Sequence, residues 1–156
     1  MTTIIVPFYR YLNGKIKRLW NKTKTAKRNN LHFSSQDEVG SNVIAVDTQK
    51  RKLLYLKRAS NSASCLIIDL STLEMCSLRK EYSSISAGDL KVKKLHHFLK
   101  SIFLNLGFKN SGRLISLPLY QAEKDVHEDV IQAEAKARKW ETIVSKLLPV
   151  QIKERA

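Results

Sequence analysis

Short hydrophobic runs separated by polar turns begin near residue 43, a pattern typical of antiparallel strands. Residues 43–46 and 53–57 are apolar or β-branched apart from the terminal Lys57, and the stretch between them, 47–52, is wholly polar. This spacing predicts a β-hairpin, because polar turn residues between two apolar runs allow the chain to reverse at the surface.

A second pair of runs follows, and its connection is much shorter. Residues 64–70 and 73–82 are separated by residues 71–72 alone, which predicts a two-residue hairpin. In the register that this predicts, Leu70 lies opposite Leu73.

The predicted second hairpin brings two pairs of reactive side chains together. Cys65 and Cys76 become diagonal neighbours on one face, and Asp69 and Glu74 face each other across the turn. The cysteines show no CxxC spacing and no adjacent histidine run, so we expect reduced thiols that serve packing. Two close carboxylates can share a proton in catalysis. No partner residues converge on these two, and we interpret them as an exposed sheet end.

Residues 94–109 fit both a helical and a strand period. The following turn decides between them, because residues 110–112 (Asn-Ser-Gly) favour a chain reversal. We therefore predict a hairpin that joins residues 101–109 to residues 114–117. Pro118 then lies at a strand end or on an edge strand, where its missing N–H is tolerated.

The last third of the chain carries a long amphipathic pattern with steps of four and three. Acidic residues precede basic ones along it, which complements the helix dipole, and Pro149 marks a stop. We predict a helix over residues 123–148 that packs against the sheet. Its apolar stripe comprises Val126, Val130, Ala133, Ala137, Trp140, Val144 and Leu147.

The N-terminal segment has helical spacing as well, following Pro7. We predict a basic amphipathic helix within residues 1–20, a flexible basic tether over 21–42, one domain over 43–148 and a tail over 149–156. The helical stripe comprises Ile5, Phe8, Tyr9, Leu12, Ile16, Leu19 and Trp20.

Charge changes the interpretation of this pattern. The 156 residues include 28 Lys and Arg against 14 Asp and Glu, a net charge of +14, which exceeds the roughly 2 to 8 that solubility requires in a small domain. Residues 1–36 hold eight basic residues and no acid, and residues 91–120 hold six and no acid. These two stretches are the predicted contact surfaces for an anionic partner.

Two groups of candidate binding residues follow from these stretches. Apolar residues beside cations predict a helix that lies in a membrane interface. The predicted membrane-binding group is Phe8, Leu12, Lys15, Ile16, Lys17, Arg18, Trp20 and Lys22. The predicted anion-binding group is Lys91, Lys93, Lys94, Lys109 and Arg113.

The order of elements, short antiparallel strands and then one long helix, resembles that of pleckstrin-homology-like domains over residues 43–148. The stretch CLIIDLSTLEMCSLRKEYSS is similar to the paired strands of small bacterial proteins that carry such a domain behind a membrane anchor. The resemblance implies an α+β fold, an antiparallel bent sheet or barrel of six strands capped by the C-terminal helix. A seventh strand would come from residues 32–34. It also implies a binding or scaffolding module, although fold alone does not determine function.

Signatures of catalysis are missing from the sequence. It contains no GxSxG, P-loop, GxGxxG or HExxH motif. His96 and His97 are expected to point apart, and with His32 and His127 we interpret them as solvated surface residues. We expect no enzyme activity, no cofactor, no metal and no small-molecule substrate.

The positive charge is compatible with two functions from different classes. The first is a non-catalytic module on the cytoplasmic face of the membrane, peripherally attached, with a protein or headgroup as its ligand. The second is a nucleic-acid-binding protein that uses the basic N-terminal arm to contact phosphates, although no known nucleic-acid-binding motif is visible. A third interpretation is a structural subunit whose basic arm threads a larger assembly.

Overall fold

The computed structural model describes residues 4–9, 30–58 and 62–149. Within them the chain forms strands first and a long helix last, and it divides into two compact units, residues 1–38 with 42–70 and residues 39–41 with 71–156. The strands are β1 (Ile4–Tyr9), β2 (Ser35–Val39), β3 (Asn42–Asp47), β4 (Lys52–Arg58), β5 (Ser62–Asp69), β6 (Leu73–Tyr82), β7 (Leu99–Phe108) and β8 (Leu114–Gln121). The helices are α1 (Asp89–Val92) and α2 (Val130–Leu147), with 3₁₀ turns at Leu70–Thr72 and Leu95–Phe98.

The first unit is a five-stranded sheet in the order β1-β5-β4-β3-β2. Its central strands are rich in Val, Ile and Leu, residues that fit a pleated, buried surface. β3 is buried at all six positions, so both faces of the sheet are covered at this strand. One face holds the buried cluster Leu31, Val43, Ala45, Leu54, Leu56, Cys65 and Ile67, with Phe33 packed against it.

The predicted hairpin of residues 43–46 and 53–57 is confirmed as β3 and β4, with Val46 opposite Leu53. Asp47 organises the turn between them. Its carboxylate accepts the backbone N–H of Lys50 at 3.0 Å and that of His32 at 2.9 Å. The same side chain therefore closes the β3–β4 turn and holds residues 30–34 beside it.

The predicted hairpin between residues 64–70 and 73–82 is wrong, although both strands exist. β5 pairs with β4 and β1, whereas β6 pairs with β7 in the other unit. Tight two-residue hairpins need residues that accept positive φ, such as Asn-Gly, and Ser71-Thr72 lacks them. The connection is instead a 3₁₀ turn that carries the chain from one unit into the next.

The side-chain pairs predicted from that hairpin are wrong for the same reason. Cys65 lies in β5 and Cys76 in β6, in separate units, and both are free thiols. Asp69 pairs with Lys52 at 2.9 Å, because Lys52 is its register partner on β4. Glu74 lies in the other unit, so the two carboxylates form no pair across a turn.

The second unit is built on a three-stranded sheet in the order β6-β7-β8. The predicted hairpin of residues 101–109 and 114–117 is confirmed, and its turn places Asn110 and Gly112 at positive φ. Pro118 lies on β8, an edge strand, as predicted. Residues 95–98, which were ambiguous in sequence, form the 3₁₀ turn that leads into β7.

Helix α2 packs on the face of this sheet that carries Leu104 and Leu106. Its predicted stripe is confirmed at its four buried residues: Ala133, Ala137, Trp140 and Val144. Polar contacts reinforce the packing on the β6 edge, where the carboxylate of Glu141 accepts the backbone N–H of Leu78 at 2.8 Å. Glu134 also pairs with Lys80 of β6 and with Arg138.

The predicted start of this helix, residue 123, is wrong, and α2 begins at Val130. The acidic residues before it are engaged in turns. Asp125 accepts the backbone N–H of Gln121 at 2.8 Å, and Asp129 caps the helix by accepting the N–H of Ile131 at 2.9 Å. Side chains that hydrogen-bond to nearby backbone favour caps and turns over helix interiors, and Val126 of the predicted stripe is left exposed.

The N-terminal predictions are corrected where the structure describes the chain. Residues 4–9 form strand β1 beside β5, so the helix predicted over 1–20 is wrong there. Ile4, Ile5 and Val6 are β-branched, and Pro7 is tolerated because β1 is an edge strand. Residues 35–39 of the predicted flexible tether form β2. The rest of the predicted helix and residues 21–29 lie outside the described residues.

The α+β class, with antiparallel strands followed by a C-terminal helix, is confirmed. The single bent sheet or barrel of six or seven strands is not: eight strands occur in the described residues, in two sheets. The domain predicted over 43–148 accordingly spans parts of two units.

Candidate functional site

The connection between β6 and β7, residues 83–98, is the longest between paired strands in the described second unit. Its base is closed where Tyr82 pairs with Leu99 and the backbone N–H of Ser83 donates to the carbonyl of Phe98 at 2.8 Å. Between these points lie α1 and the 3₁₀ turn Leu95–Phe98. The connection therefore has a fixed base and a protruding middle.

One local contact shapes the middle of the connection. The carboxylate of Asp89 accepts the backbone N–H of Ser86 at 2.7 Å. This hydrogen bond, one from the Ser86 side chain and the nearby charge of Lys93 lower the pKa of Asp89. The bond turns the chain into α1, a single turn of helix in which no residue is buried.

Large aliphatic side chains in the connection face solvent. Val92 is 85% exposed, Leu90 57%, Leu95 48% and Ile85 37%. Single exposed apolar residues are ordinary on protein surfaces, but several close together mark an interaction site.

Cations are interleaved with these aliphatic residues. Lys91, Lys93 and Lys94 are all exposed, and Lys100 follows at the start of β7. Within the described part of the chain, none of these four lysines forms an ion pair. The connection thus presents apolar groups and a net positive charge on the same short segment.

The predicted anion-binding group is not brought together. Lys91, Lys93 and Lys94 lie before β7, whereas Lys109 and Arg113 lie in the turn after it. β7 has ten residues and spans about 30 Å at roughly 3.3 Å per residue. Charges that far apart in solvent are screened from each other. Arg113 also places its guanidinium over the ring of Phe108 at 5.6 Å.

The two adjacent histidines are closer together than the sequence indicated. His96 and His97 lie in the 3₁₀ turn with ring centroids 4.2 Å apart and planes tilted by 32°, so the expectation that they point apart is wrong. A 3₁₀ turn does not separate neighbouring side chains as a strand does. Together they add two imidazoles to the basic connection.

Metal ligation and thiol reactivity can be assessed among the described residues. Among them no group of three or more His, Cys, Asp or Glu residues could hold a metal ion. Burial raises the pKa of Cys65 to about 12 and, with the nearby charge of Glu141, that of Cys76 to about 11. Thiolate is the nucleophilic form of cysteine, so both thiols are poorly reactive at neutral pH.

Sequence reasoning identified the lysines of the connection but missed its aliphatic residues. Ile85, Leu90 and Val92 belong to no extended helical or strand period, so a search for periodic stripes passes over them, and Leu95 was noticed only as part of the ambiguous pattern of residues 94–109. The available signal was an apolar and basic mixture after a Ser- and Gly-containing stretch. Of the predicted membrane-binding group, Phe8 lies in β1 opposite Ala63. The others lie outside the described residues: Leu12, Lys15, Ile16, Lys17, Arg18, Trp20 and Lys22.

A scan against protein-family models, a search of curated proteins and a search of solved structures each found no match. The pleckstrin-homology-like resemblance therefore stays a prediction. Among the described residues, no helix combines the length and apolar character needed to cross a bilayer.

Proposed function

We propose that this protein is a non-catalytic module that attaches peripherally to an anionic membrane surface, on the cytoplasmic face, and there binds a protein or a lipid headgroup. The observation that carries the proposal is the exposure of Leu90, Val92 and Leu95 on a segment that also bears Lys91, Lys93 and Lys94. The contact segment is the β6–β7 connection, and the basic N-terminal segment adds to it.

The energetics favour a lipid interface for such a segment. Burying an aliphatic side chain of this size is worth about 1.5 to 3 kcal/mol when it is complete. Each lysine near an anionic leaflet adds about 1 kcal/mol. Several aliphatic residues that insert partly into the lipid and three lysines together supply more than one anchoring signal, which stable membrane attachment requires.

Nucleic acid is the competing partner for the same lysines. Phosphate contacts would use the charges, but they give no reason to expose aliphatic side chains. Non-specific binding to single strands relies on aromatic side chains that stack on bases. In the connection the aromatic Phe98 is half-buried, whereas the most exposed large hydrophobic residue is Val92. The apolar component therefore favours lipid.

The pleckstrin-homology-like interpretation is retained as part of the proposal. Antiparallel strands followed by a C-terminal helix on a sheet support it, and the division into two sheets departs from it. The β6–β7 connection, which carries lysines and exposed aliphatic side chains, is compatible with a lipid headgroup as the ligand.

The proposal is tested by co-sedimentation of the full chain with vesicles of phosphatidylcholine alone or with added phosphatidylserine. The variant carries Leu90→Ser and Val92→Ser, and the matched control is Leu114→Ser, which is 51% exposed at the other end of β7. We expect the double variant to weaken partitioning by about 2 kcal/mol, roughly thirtyfold, and the control to change it little.

A parallel titration with a mixed-sequence oligonucleotide distinguishes the competing partner. Binding to the oligonucleotide alone, insensitive to Leu90→Ser and Val92→Ser and abolished by moderate salt, would overturn the membrane proposal. Equal loss of vesicle binding in the variant and the Leu114→Ser control would contradict the assignment to the connection.

A further inference from the structure

The loop that leads into α2, residues 122–129, lies at the same end of the three-stranded sheet as the β6–β7 connection. Gln121 at the end of β8 pairs with Ser101 near the start of β7. The backbone N–H of Ala122 donates to the carbonyl of Lys100 at 2.9 Å. Both loops therefore emerge from neighbouring strand ends within the second unit.

Apolar side chains are exposed on this second loop as well. Val126 is 73% exposed, and Ile131, in the first turn of α2, is 60% exposed. Ile131 stands outside the buried stripe of the helix, and nothing in α2 requires an isoleucine there. Both residues are unexplained by packing within the unit.

The exposed large apolar residues of the described chain are concentrated at this end. There are nine of them, and only Met75 and Leu114 lie at the opposite end, beside Gly107. The other seven belong to the two loops and their edges: Tyr82, Ile85, Leu90, Val92, Leu95, Val126 and Ile131.

Three of the four acidic residues on the second loop are occupied by local contacts. Asp125 is buried and accepts the N–H of Gln121, while Asp129 caps α2. Glu128 lies 3.7 Å from the ammonium of Lys136, and only Glu123 of the loop's acids is exposed without such a contact. Most of the loop's negative charge is therefore directed toward backbone N–H groups and a lysine, and the lysines of the first loop dominate the charge at this end.

We infer that the two loops form one bilayer-docking surface, in which Val126 and Ile131 enter the lipid interface together with Leu90 and Val92. The inference rests on the proposed function and specifies its geometry. The occupant is the interface of an anionic bilayer, because the lysines complement its charge and the seven exposed apolar residues need an apolar layer. The N-terminal turn of α2 then faces the membrane.

Site-directed fluorescence on the full chain tests this geometry. Cys65 is buried, Cys76 is half-buried, and burial raises the pKa of both native thiols, so a new exposed cysteine reacts selectively with an environment-sensitive dye at neutral pH. The labelled positions are Val92→Cys, Val126→Cys, Ile131→Cys and the far-end control Leu114→Cys. Each is titrated with phosphatidylcholine vesicles that contain phosphatidylserine, and lipid-borne quenchers report insertion.

The expected result is a blue shift and quenching at positions 92, 126 and 131 and neither at position 114. Signals at position 92 alone would overturn the two-loop surface and leave the proposed function standing. Vesicle binding with no signal at positions 92, 126 and 131 would overturn both, because attachment would then use another part of the chain.

An equilibrium measurement avoids dependence on the dye. Val126→Asp and Ile131→Asp should each lower the vesicle partition coefficient roughly tenfold, as expected for losing one inserted side chain and adding a repelled charge. Leu114→Asp should leave it unchanged. Circular dichroism confirms that each variant is folded, and a folded Val126→Asp or Ile131→Asp variant with unaltered partitioning would overturn the inference.

Discussion

The two units differ in how many of their large apolar side chains are exposed to solvent. Across residues 30–57 and 64–70 of the first unit no large hydrophobic side chain is exposed, and β3 is buried along its whole length. All nine exposed large hydrophobics lie in the second unit, mostly in loops. The difference indicates that the first unit is a closed scaffold, whereas the second combines a packed core with a contact surface.

The sharpest test of that comparison contrasts core and loop within the second unit. Trp140 is fully buried between α2 and its sheet, so Trp140→Ala should lower the free energy of unfolding by about 4 kcal/mol. Val92→Ser should change it by less than about 0.5 kcal/mol. Urea denaturation followed by circular dichroism measures both. A large loss for Val92→Ser would show that the connection is part of the core.

The closed scaffold depends on a polar contact at Asp47. Removing its carboxylate takes away two charge-assisted hydrogen bonds, those from the N–H groups of His32 and Lys50, so Asp47→Ala should cost about 2 kcal/mol of stability. Glu123→Gln, at an exposed position of the second unit, is the control and should cost almost nothing. Comparable losses in the two variants would contradict the special role of Asp47.

Asp47 also predicts a pH dependence. Burial would raise its pKa, but the N–H groups of Lys50, His32 and Gln49 and the charge of Lys50 together lower it. A lowered folded-state pKa stabilises the protein above the ordinary Asp value of about 3.9, and that contribution is lost as the pH falls through the lowered pKa. The difference in unfolding free energy between wild type and Asp47→Asn should therefore shrink below about pH 4. A constant difference down to acid pH would contradict the assignment.

A smaller effect is expected where α2 covers the β6 edge. Glu141→Ala removes the acceptor of the Leu78 N–H and should cost about 1.5 kcal/mol. Glu141→Gln keeps a carbonyl oxygen at that place and should cost less. If both variants have the wild-type free energy of unfolding in urea denaturation, water must accept the Leu78 N–H as well as the carboxylate does.

The smallest predicted effect separates the two basic clusters. Lys93→Ala should weaken binding to anionic vesicles by about 1 kcal/mol at low salt, and less as salt is added. Lys109→Ala, at the other end of β7, should leave binding unchanged. Equal effects in the two variants would indicate that long-range net charge, and not the connection, drives attachment.

Sequence patterns identified the strands and the helix more accurately than they identified which strands pair with each other. The β3–β4 and β7–β8 hairpins followed from apolar runs around polar or glycine-containing turns, and the buried stripe of α2 followed from its period. The β5–β6 hairpin failed because strand pattern identifies a strand without its neighbour. Ser71-Thr72 lacks the residues that accept positive φ in a tight hairpin, and this was visible in the sequence.

The candidate site was only half predictable. The lysines of residues 91–94 stand out in any count of charge, but the exposure of Val92 and Val126 does not. An apolar residue in an irregular loop is buried or exposed according to what packs on it, and that depends on distant segments. Lys109 and Lys91 share one acid-free stretch of the sequence, whereas the structure places them at opposite ends of β7.

Local period and composition were enough to predict an α+β chain with strong positive charge, strands from residue 43 onward and a C-terminal amphipathic helix. Long-range packing was needed to place β5 and β6 in different sheets, to bring two loops to one sheet end and to separate the basic clusters. Local patterns record which face of an element is apolar, and only long-range packing determines which elements meet.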